Sequence, residues 1–237
     1  ITGRCGSTLL AGVAKAYGNF GTGHDALNPA PAPAWKEHNP RRDLAKFIRH
    51  ILGKQTMAGG IVYFQITPER WERLMTLLPD EFIGMATFSS ITRRNILAQA
   101  ISFAFASASG YWHDRGDGEY DGNFGPPDDA IEQVREHLAA IRRTEEAIAG
   151  FRARHPQLFV GNIFYEDIAA DPFSTLAALM TMHGHAVDFT RLTEAIAQPA
   201  VTRKLRYHAF PDLYRRCLEQ IPGLAESLLH RLGGGPG

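Results

Sequence analysis

The sequence has few cysteines, no net charge and no long apolar run, and each of these absences argues against a class of protein. Its 237 residues include only two cysteines, Cys5 and Cys217, which cannot form a disulfide framework and so suggest a reducing compartment. Acidic and basic residues balance at 25 each, so no net field favours nucleic acid or an anionic membrane. The longest apolar stretches, such as residues 96–108, are interrupted by Gln and Ser and fall short of a membrane span. We therefore expect a soluble cytoplasmic protein without nucleic-acid partners and without a transmembrane segment.

The residue pattern predicts an α/β fold. Helical periodicity alternates with short apolar runs, which is typical of a parallel sheet with helices on both faces. We predict helices over Ser7–Tyr17, from Pro68 onward, over residues 94–111 and over residues 128–155. We predict strands over residues 60–66, 81–89 and 158–163, followed by short helices that form a C-terminal cap.

One domain accounts for residues 1–237, since no repeat or composition break divides them. Only two residues precede Gly3, so we expect most of a first strand to be missing. The glycine-rich tail at 233–237 is expected to be disordered.

The sharpest motif is a glycine turn at a predicted strand-to-helix junction, Gly3-Arg4-Cys5-Gly6-Ser7-Thr8-Leu9-Leu10. Glycines allow a tight turn, and the start of the helix offers backbone N–H groups that suit a phosphate. Arg4, Ser7 and Thr8 add donors. The Walker A lysine is lacking, so a nucleotide kinase or triphosphatase ranks lower. An ordinary turn with a helix capped by Ser7 or Thr8 remains an alternative on this motif alone.

A second candidate anion site lies where the helix predicted over residues 94–111 begins. Arg93 and Arg94 follow a strand end, and Ser102 lies eight residues after Arg94, on about the same helical face. An arginine and a serine so placed can grip a ribose 3′-phosphate. The alternative is a solvated arginine pair and a serine bonded to its own helix backbone.

The two motifs together resemble those of sulfotransferases that use 3′-phosphoadenosine 5′-phosphosulfate (PAPS). The glycine turn is similar to their 5′-phosphosulfate loop, and Arg94 with Ser102 is similar to their 3′-phosphate signature. Residues 93–113 and 165–172 extend the resemblance to the bacterial family typified by trehalose 2-sulfotransferase. The resemblance implies a P-loop-type fold, sulfonate transfer to a carbohydrate or glycolipid, no metal, and a homodimer.

The resemblance also implies roles for individual residues. The PAPS-binding set would be Arg4, Cys5, Gly6, Ser7, Thr8, Leu9, Arg94, Ser102 and Arg206. Arg4 would also stabilise the charge on the leaving phosphate. Asp25 stands where the family has its proposed general base, a glutamate, and His24, Glu37 and His38 are fallback bases. A loop aspartate that only makes a local turn is the alternative for Asp25.

The acceptor would contact His24, Trp112 and His113 in this interpretation, although Trp112 equally fits a packing role. The chain departs from the family in one strand, where an apolar run replaces a lysine and leaves Gln65 or Lys54 as substitute donors. A catalytically degenerate protein that only binds PAPS or a related nucleotide therefore stays open as an alternative.

Overall fold

The computed structural model describes residues 4–18, 65–76, 78, 80–109, 129–198 and 210–232. These residues form helices around a small parallel sheet. The helices before the second strand are α1 (Ser7–Tyr17), α2 (Pro68–Met75), α3 (Asp80–Gly84), α4 (Ile96–Ser109) and α5 (Ala130–Arg154). The strands are β1 (Phe88–Thr92) and β2 (Phe159–Phe164). After them come α6 (Tyr165–Ala170), α7 (Pro172–Met182), α8 (Phe189–Ile196), α9 (Pro211–Gln220) and α10 (Leu224–Leu232).

The two strands pair in parallel, with Ile91 opposite Ile163 and Thr92 opposite Phe164. Because side chains alternate along a strand, Ile91 and Ile163 share one face of the sheet. Both belong to a buried cluster that also takes residues from α1, α6, α7 and α8. The carboxyl ends of the strands lie at one edge, where β1 leads toward α4 and β2 leads into α6.

The opposite face of the sheet carries polar side chains beside Phe164. Ser90 donates a hydrogen bond to the side-chain oxygen of Asn162 across the two strands. A cavity of about 570 Å³ separates this face from α5 and is also lined by Glu145, Arg152 and Arg231. The sheet therefore has one face that packs in the core and one face that borders a cleft.

Two further buried clusters lie among the described residues. One joins α4 and α5 to the C-terminal helices α9 and α10, and it contains the fully buried Ile96, Leu97, Val134 and Cys217. The other is small, and it packs Trp71 and Leu74 of α2 against Phe151 of α5. The C-terminal helices thus cover α4 and α5, as the predicted helical cap requires.

Local residue chemistry explains where several helices begin and end. Helix α1 lies between Gly6 and Gly18, which both have left-handed backbones with φ of 90° and 82°. Pro68 is at the first position of α2, where its missing N–H costs no hydrogen bond. Asp171 and Asp188 cap α7 and α8, since each carboxylate accepts a backbone N–H at 3.0 Å from the first turn.

The structure confirms α1, the start of α2 and a parallel pairing of strands. The helix predicted over residues 128–155 is α5, and the strand predicted over residues 158–163 is β2. The strand predicted over residues 81–89 is wrong, because α3 occupies its first half and the strand is Phe88–Thr92. Asp80 and Glu81 favour a helix start in that first half through their charge.

The other expectations stay predictions. Residues 1–3, 60–64 and 233–237 lie outside the described residues, and with them the first strand, most of the strand predicted over 60–66 and the tail. The P-loop-type strand order depends on the first two of these segments. In the part of the chain that the structure describes, none of the helices is both long enough and apolar enough to cross a membrane.

Candidate functional site

The glycine turn is sharply bent at the start of α1. Arg4 has a positive φ of 59°, a backbone shape that costs a non-glycine residue about 1 kcal/mol. The carbonyl of Gly6 accepts backbone N–H groups from Leu9 at 3.0 Å and Leu10 at 3.2 Å, which begins the helix. Cys5 is fully buried between these glycine and arginine positions, so it fills the core beneath the turn. The turn therefore ends in the first hydrogen bonds of α1.

Arg4 and Ser102 are in direct contact although 98 positions separate them. The Nε of Arg4 donates to the Ser102 hydroxyl at 3.0 Å. Ser102 is only 5% exposed, so this hydrogen bond lies in a largely buried place. The two residues come from the two motifs that the sequence predicted as separate half-sites. The fold thus joins the glycine turn to the middle of α4.

Arg93 adds a second cation beside the turn. Its Nη1 donates to the carbonyl of Arg4 at 3.4 Å, and its guanidinium stacks on the ring of Tyr165 at 3.9 Å from the centroid. Arg93 is 4% exposed, so its charge acts in a poorly solvated setting where electrostatic interactions are stronger. Arg231 of α10 holds the carbonyl of Arg93 at 3.2 Å, which ties the last helix to this turn.

Arg94 is fixed by two neighbouring carboxylates after β2. Asp167 accepts from its Nη1 at 2.6 Å and from its Nη2 at 2.9 Å, a bidentate pair. The backbone N–H of Arg94 donates to Glu166 at 3.0 Å, and the backbone N–H of Asn95 donates to the same carboxylate at 3.1 Å. The guanidinium also lies over the ring of Phe164, 4.1 Å from its centroid. The hydrogen bond and charge of Asp167 raise the pKa of Arg94, so this residue stays cationic.

The helix α4 begins at Ile96, two residues later than the sequence predicts. Arg94 therefore lies in the turn before the helix, and its relation to Ser102 does not follow from helical spacing. Asn95 caps α4, because its side-chain oxygen accepts the backbone N–H of Ala98 at 2.9 Å. The shared grip of Arg94 and Ser102 on one phosphate stays a prediction.

Gln65 reaches the glycine turn from elsewhere in the chain. Its Nε2 donates to the carbonyl of Ser7 at 2.5 Å, and the residue is 8% exposed. The sequence named Gln65 only as one substitute for a missing lysine. Its contact with Ser7 places a neutral amide at the turn, so it adds a polar group there without a charge.

Several predicted site residues lie outside the described residues. These are His24, Asp25, Trp112, His113 and Arg206, together with the fallback groups Glu37, His38 and Lys54. Their roles as base, acceptor contacts, donor and nucleotide contact stay predictions. Among the described residues, the structure brings together Arg4 and Ser102 from the predicted set.

Sequence reasoning gave no role to four residues near the arginine pair. Glu166 and Asp167 bind Arg94, Arg231 binds the carbonyl of Arg93, and Glu145 pairs with Arg231. Glu166 and Asp167 directly follow β2, and parallel strands end at one edge, where polar side chains come together. That rule would have identified them. Arg231 and Glu145 form a bidentate pair at 2.6 and 2.9 Å, and no local sequence signal marks it.

His183, which follows α7, contacts the hydroxyls of two residues at the start of β1. Its Nδ1 lies 2.6 Å from the Thr87 hydroxyl and its Nε2 lies 2.9 Å from the Ser89 hydroxyl. Burial lowers its pKa, and the charge of His185 lowers it further. In the described part of the chain, no group of three or more His, Cys, Asp or Glu side chains is placed to hold a metal ion.

A model of the Stf0 sulphotransferase family matches residues 63–208, which is more than half of the chain. The match contains β1, β2 and the carboxylates that follow β2, and it also spans Arg94 and Ser102. This chain therefore belongs to the Stf0 sulphotransferase family, which implies a transferase. Neither the curated proteins nor the solved structures gave a match.

Proposed function

We propose that this protein transfers a sulfonate group from PAPS to a hydroxyl of a carbohydrate or glycolipid. The hydrogen bond between Arg4 and Ser102 is the observation that carries the proposal. One residue comes from the turn expected to hold the 5′-phosphosulfate, and the other comes from the pair expected to hold the 3′-phosphate. Their contact supports a single nucleotide site that takes both ends of the same donor.

The charges beside the turn suit this reaction. The leaving group is a phosphate oxygen that gains negative charge as sulfur departs, so fixed cations near that oxygen lower the barrier. Arg4 and Arg93 provide two guanidinium groups at the turn, and Arg93 is almost fully buried. In our proposal Arg4 leaves Ser102 when PAPS binds. The 3′-phosphate then accepts the Ser102 hydroxyl, and Arg4 turns to the bridging oxygen.

The step balances without a metal. Asp25 takes the proton of the acceptor hydroxyl as that oxygen attacks sulfur. The new bond joins sulfur to the acceptor oxygen, and the bond from sulfur to the 5′-phosphate oxygen breaks. The products are a sulfate ester and 3′-phosphoadenosine 5′-phosphate, and the proton passes from Asp25 to solvent. The backbone N–H groups around Ser7 and Thr8 hold the 5′-phosphate during transfer.

The acceptor class rests on the family resemblance and on residue type. By residue type, Trp112 has an aromatic face that suits a sugar ring, and His24 and His113 have groups that can hydrogen-bond to sugar hydroxyls. Arg206 is proposed to contact the nucleotide from the C-terminal segment. A homodimer in a reducing, cytoplasmic setting is part of the same proposal.

Nucleotide binding tests the proposal first, in a thermal-shift titration with 3′-phosphoadenosine 5′-phosphate, 5′-AMP and ATP. A ligand that binds only the folded state raises the melting temperature by mass action. We expect a selective rise with the 3′-phosphorylated nucleotide. Arg94→Ala and Ser102→Ala should each weaken that binding about 10-fold or more, since a hydrogen bond to a charged group is lost.

A matched control separates this effect from a general loss of charge. Arg135 forms an exposed pair with Glu132 on α5, so Arg135→Ala should leave nucleotide binding unchanged. A larger rise with ATP than with the 3′-phosphorylated nucleotide would overturn the proposal in favour of a kinase. Selective binding without transfer of labelled sulfonate to trehalose or other sugar acceptors would favour a degenerate binding protein. Gln65 supports this second candidate, because the group that it brings to the turn is a neutral amide rather than a cation.

A further inference from the structure

Asp167 and Arg94 form an end-on pair that leaves one edge of the guanidinium available. Both terminal nitrogens of Arg94 donate to the two oxygens of Asp167, at 2.6 and 2.9 Å. A guanidinium carries five N–H donors, so two are used here. The donors along the Nε edge point away from Asp167 because the group is planar. The flat face rests on the Phe164 ring, which fixes the plane.

This pair is poorly placed to stabilise the fold. The Arg94 side chain is 29% exposed and the Asp167 side chain is 46% exposed. Pairs that water reaches to this extent contribute at most about 1 kcal/mol to stability. The bidentate geometry therefore has its main consequence in the direction of the Arg94 side chain, which is otherwise long and rich in rotamers.

The backbone of Arg94 is held by a different carboxylate. Glu166 accepts the N–H groups of Arg94 and Asn95, so the chain direction at the start of α4 does not depend on Asp167. The two adjacent acidic residues thus have different roles, since Glu166 fixes the main chain and Asp167 fixes the side chain. A side chain that is ordered before a ligand arrives loses less freedom on binding.

We propose that Asp167 is a positioning residue that aims the Nε edge of Arg94 at the 3′-phosphate of the nucleotide. The inference rests on the proposed function, because it assumes that Arg94 receives this phosphate. Asp167 would have two opposite effects on phosphate binding. Its carboxylate repels a nearby phosphate, but it also orders the arginine that receives the phosphate. The end-on contact decides between the two effects, because it keeps the carboxylate on the far edge of the guanidinium.

Calorimetric titration of the full chain with 3′-phosphoadenosine 5′-phosphate and with 5′-AMP tests the inference. We expect Asp167→Ala to weaken binding of the 3′-phosphorylated nucleotide by about 3- to 10-fold, which is the effect of ordering one long side chain. Binding of 5′-AMP should change by less than about 2-fold, because this ligand lacks the phosphate that Arg94 would receive. Asp167→Glu keeps a carboxylate and should restore part of the loss.

Asp171→Asn is the matched control. Asp171 lies four residues further along and also loses a charge, but it contacts Ser174 rather than Arg94, and asparagine keeps the helix cap. Its binding should equal that of the unaltered protein. The melting temperature of each ligand-free variant is measured alongside, so that a loss of folded protein is not taken for weak binding.

A double variant shows whether Asp167 acts through Arg94. In the Arg94→Ala background, Asp167→Ala should cause no further loss, because its target is gone. A further loss in that background, or equal or tighter binding by Asp167→Ala alone, would overturn the inference. If the unaltered protein does not prefer the 3′-phosphorylated nucleotide over 5′-AMP, the proposed function fails and the inference fails with it. A preference that is as large in Asp167→Ala as in the unaltered protein leaves the proposed function standing and removes only the inference.

Discussion

Tyr165 lies with its ring so close to Gly6 that a Cβ on that glycine would overlap ring carbon Cδ2 and approach Cε2 to 3.1 Å. The same ring also contacts Arg93, whose guanidinium stacks on it at 3.9 Å from the centroid. Tyr165 is 9% exposed and has little room to move. One aromatic residue after β2 therefore connects the glycine turn with the arginine pair.

Gly6→Ala should destabilise the protein by about 2–4 kcal/mol. Left-handed backbone costs alanine about 1 kcal/mol, and the overlap with Tyr165 adds about 1–3 kcal/mol. Gly18 is the control, because its φ is 82° and nothing lies within 4 Å of an added Cβ. Gly18→Ala should therefore cost about 1 kcal/mol in urea unfolding. Equal losses for the two variants would show that Tyr165 does not constrain Gly6.

Glu166→Ala should destabilise the protein because it leaves the backbone N–H groups of Arg94 and Asn95 without their acceptor. We expect a loss of about 1–3 kcal/mol in the free energy of unfolding. Glu166→Gln keeps one acceptor oxygen and should lose less. Glu132 is exposed and pairs with Arg135 of its own helix, so Glu132→Ala provides the reference for a lost surface carboxylate. A loss with Glu166→Ala no larger than this reference would contradict the assigned role.

The sequence predicts the helices better than the strands, for a physical reason. Helix α1 has glycines at both ends and apolar residues at helical spacing, so its bounds are encoded locally. Strand β1 has two serines and a threonine among its five residues, because Ser90 and Thr92 line the cleft beside α5 and Ser89, on the other face, contacts His183. Strand β1 therefore lacks the apolar run that is expected of a buried parallel strand. For this reason the residue pattern predicts a strand over the preceding residues, 81–89, instead.

The candidate site shows the same limit. Arg4 and Ser102 were both predicted as site residues from local motifs, but their hydrogen bond joins positions far apart in the chain. The pairing of β1 with β2 brings Glu166 and Asp167 to Arg94, and this pairing joins segments that are far apart in the sequence. Local sequence therefore indicates candidate site residues. It does not predict which carboxylate holds which cation.

The pair between Glu145 and Arg231 should couple more strongly than an exposed pair. Both side chains are at most a quarter exposed, and Arg231 also binds the carbonyl of Arg93. A double-variant cycle with Glu145→Gln and Arg231→Met should give a coupling of about 1–3 kcal/mol. The exposed pair of Arg215 and Glu219 should give at most about 0.5 kcal/mol in the same cycle. Similar couplings would mean that α10 is not anchored by this contact.

The stability of the protein should fall as the pH is lowered from about 7.5 to about 5.5, because two histidines resist protonation in the fold. Burial lowers the pKa of His183, and burial also lowers the pKa of His137. The unfolded chain takes up protons near the ordinary histidine pKa of 6.5, whereas the folded chain takes them up only at lower pH. The stability that these groups contribute is therefore present above about pH 6.5 and is lost as the pH falls toward their folded pKa values.

Urea unfolding at the two pH values, on the unaltered protein and on His183→Gln, measures this loss. Glutamine cannot take up the proton, so the difference in unfolding free energy between the two pH values should shrink in this variant. His230 is exposed on α10, and His230→Gln should leave the difference unchanged. Asp171 contributes little in this range, since its hydrogen bonds to Ser174 hold its pKa below the ordinary value of 3.8. An unchanged pH dependence in His183→Gln would show that the hydroxyls of Thr87 and Ser89 accommodate the protonated ring, and that burial of His183 costs nothing.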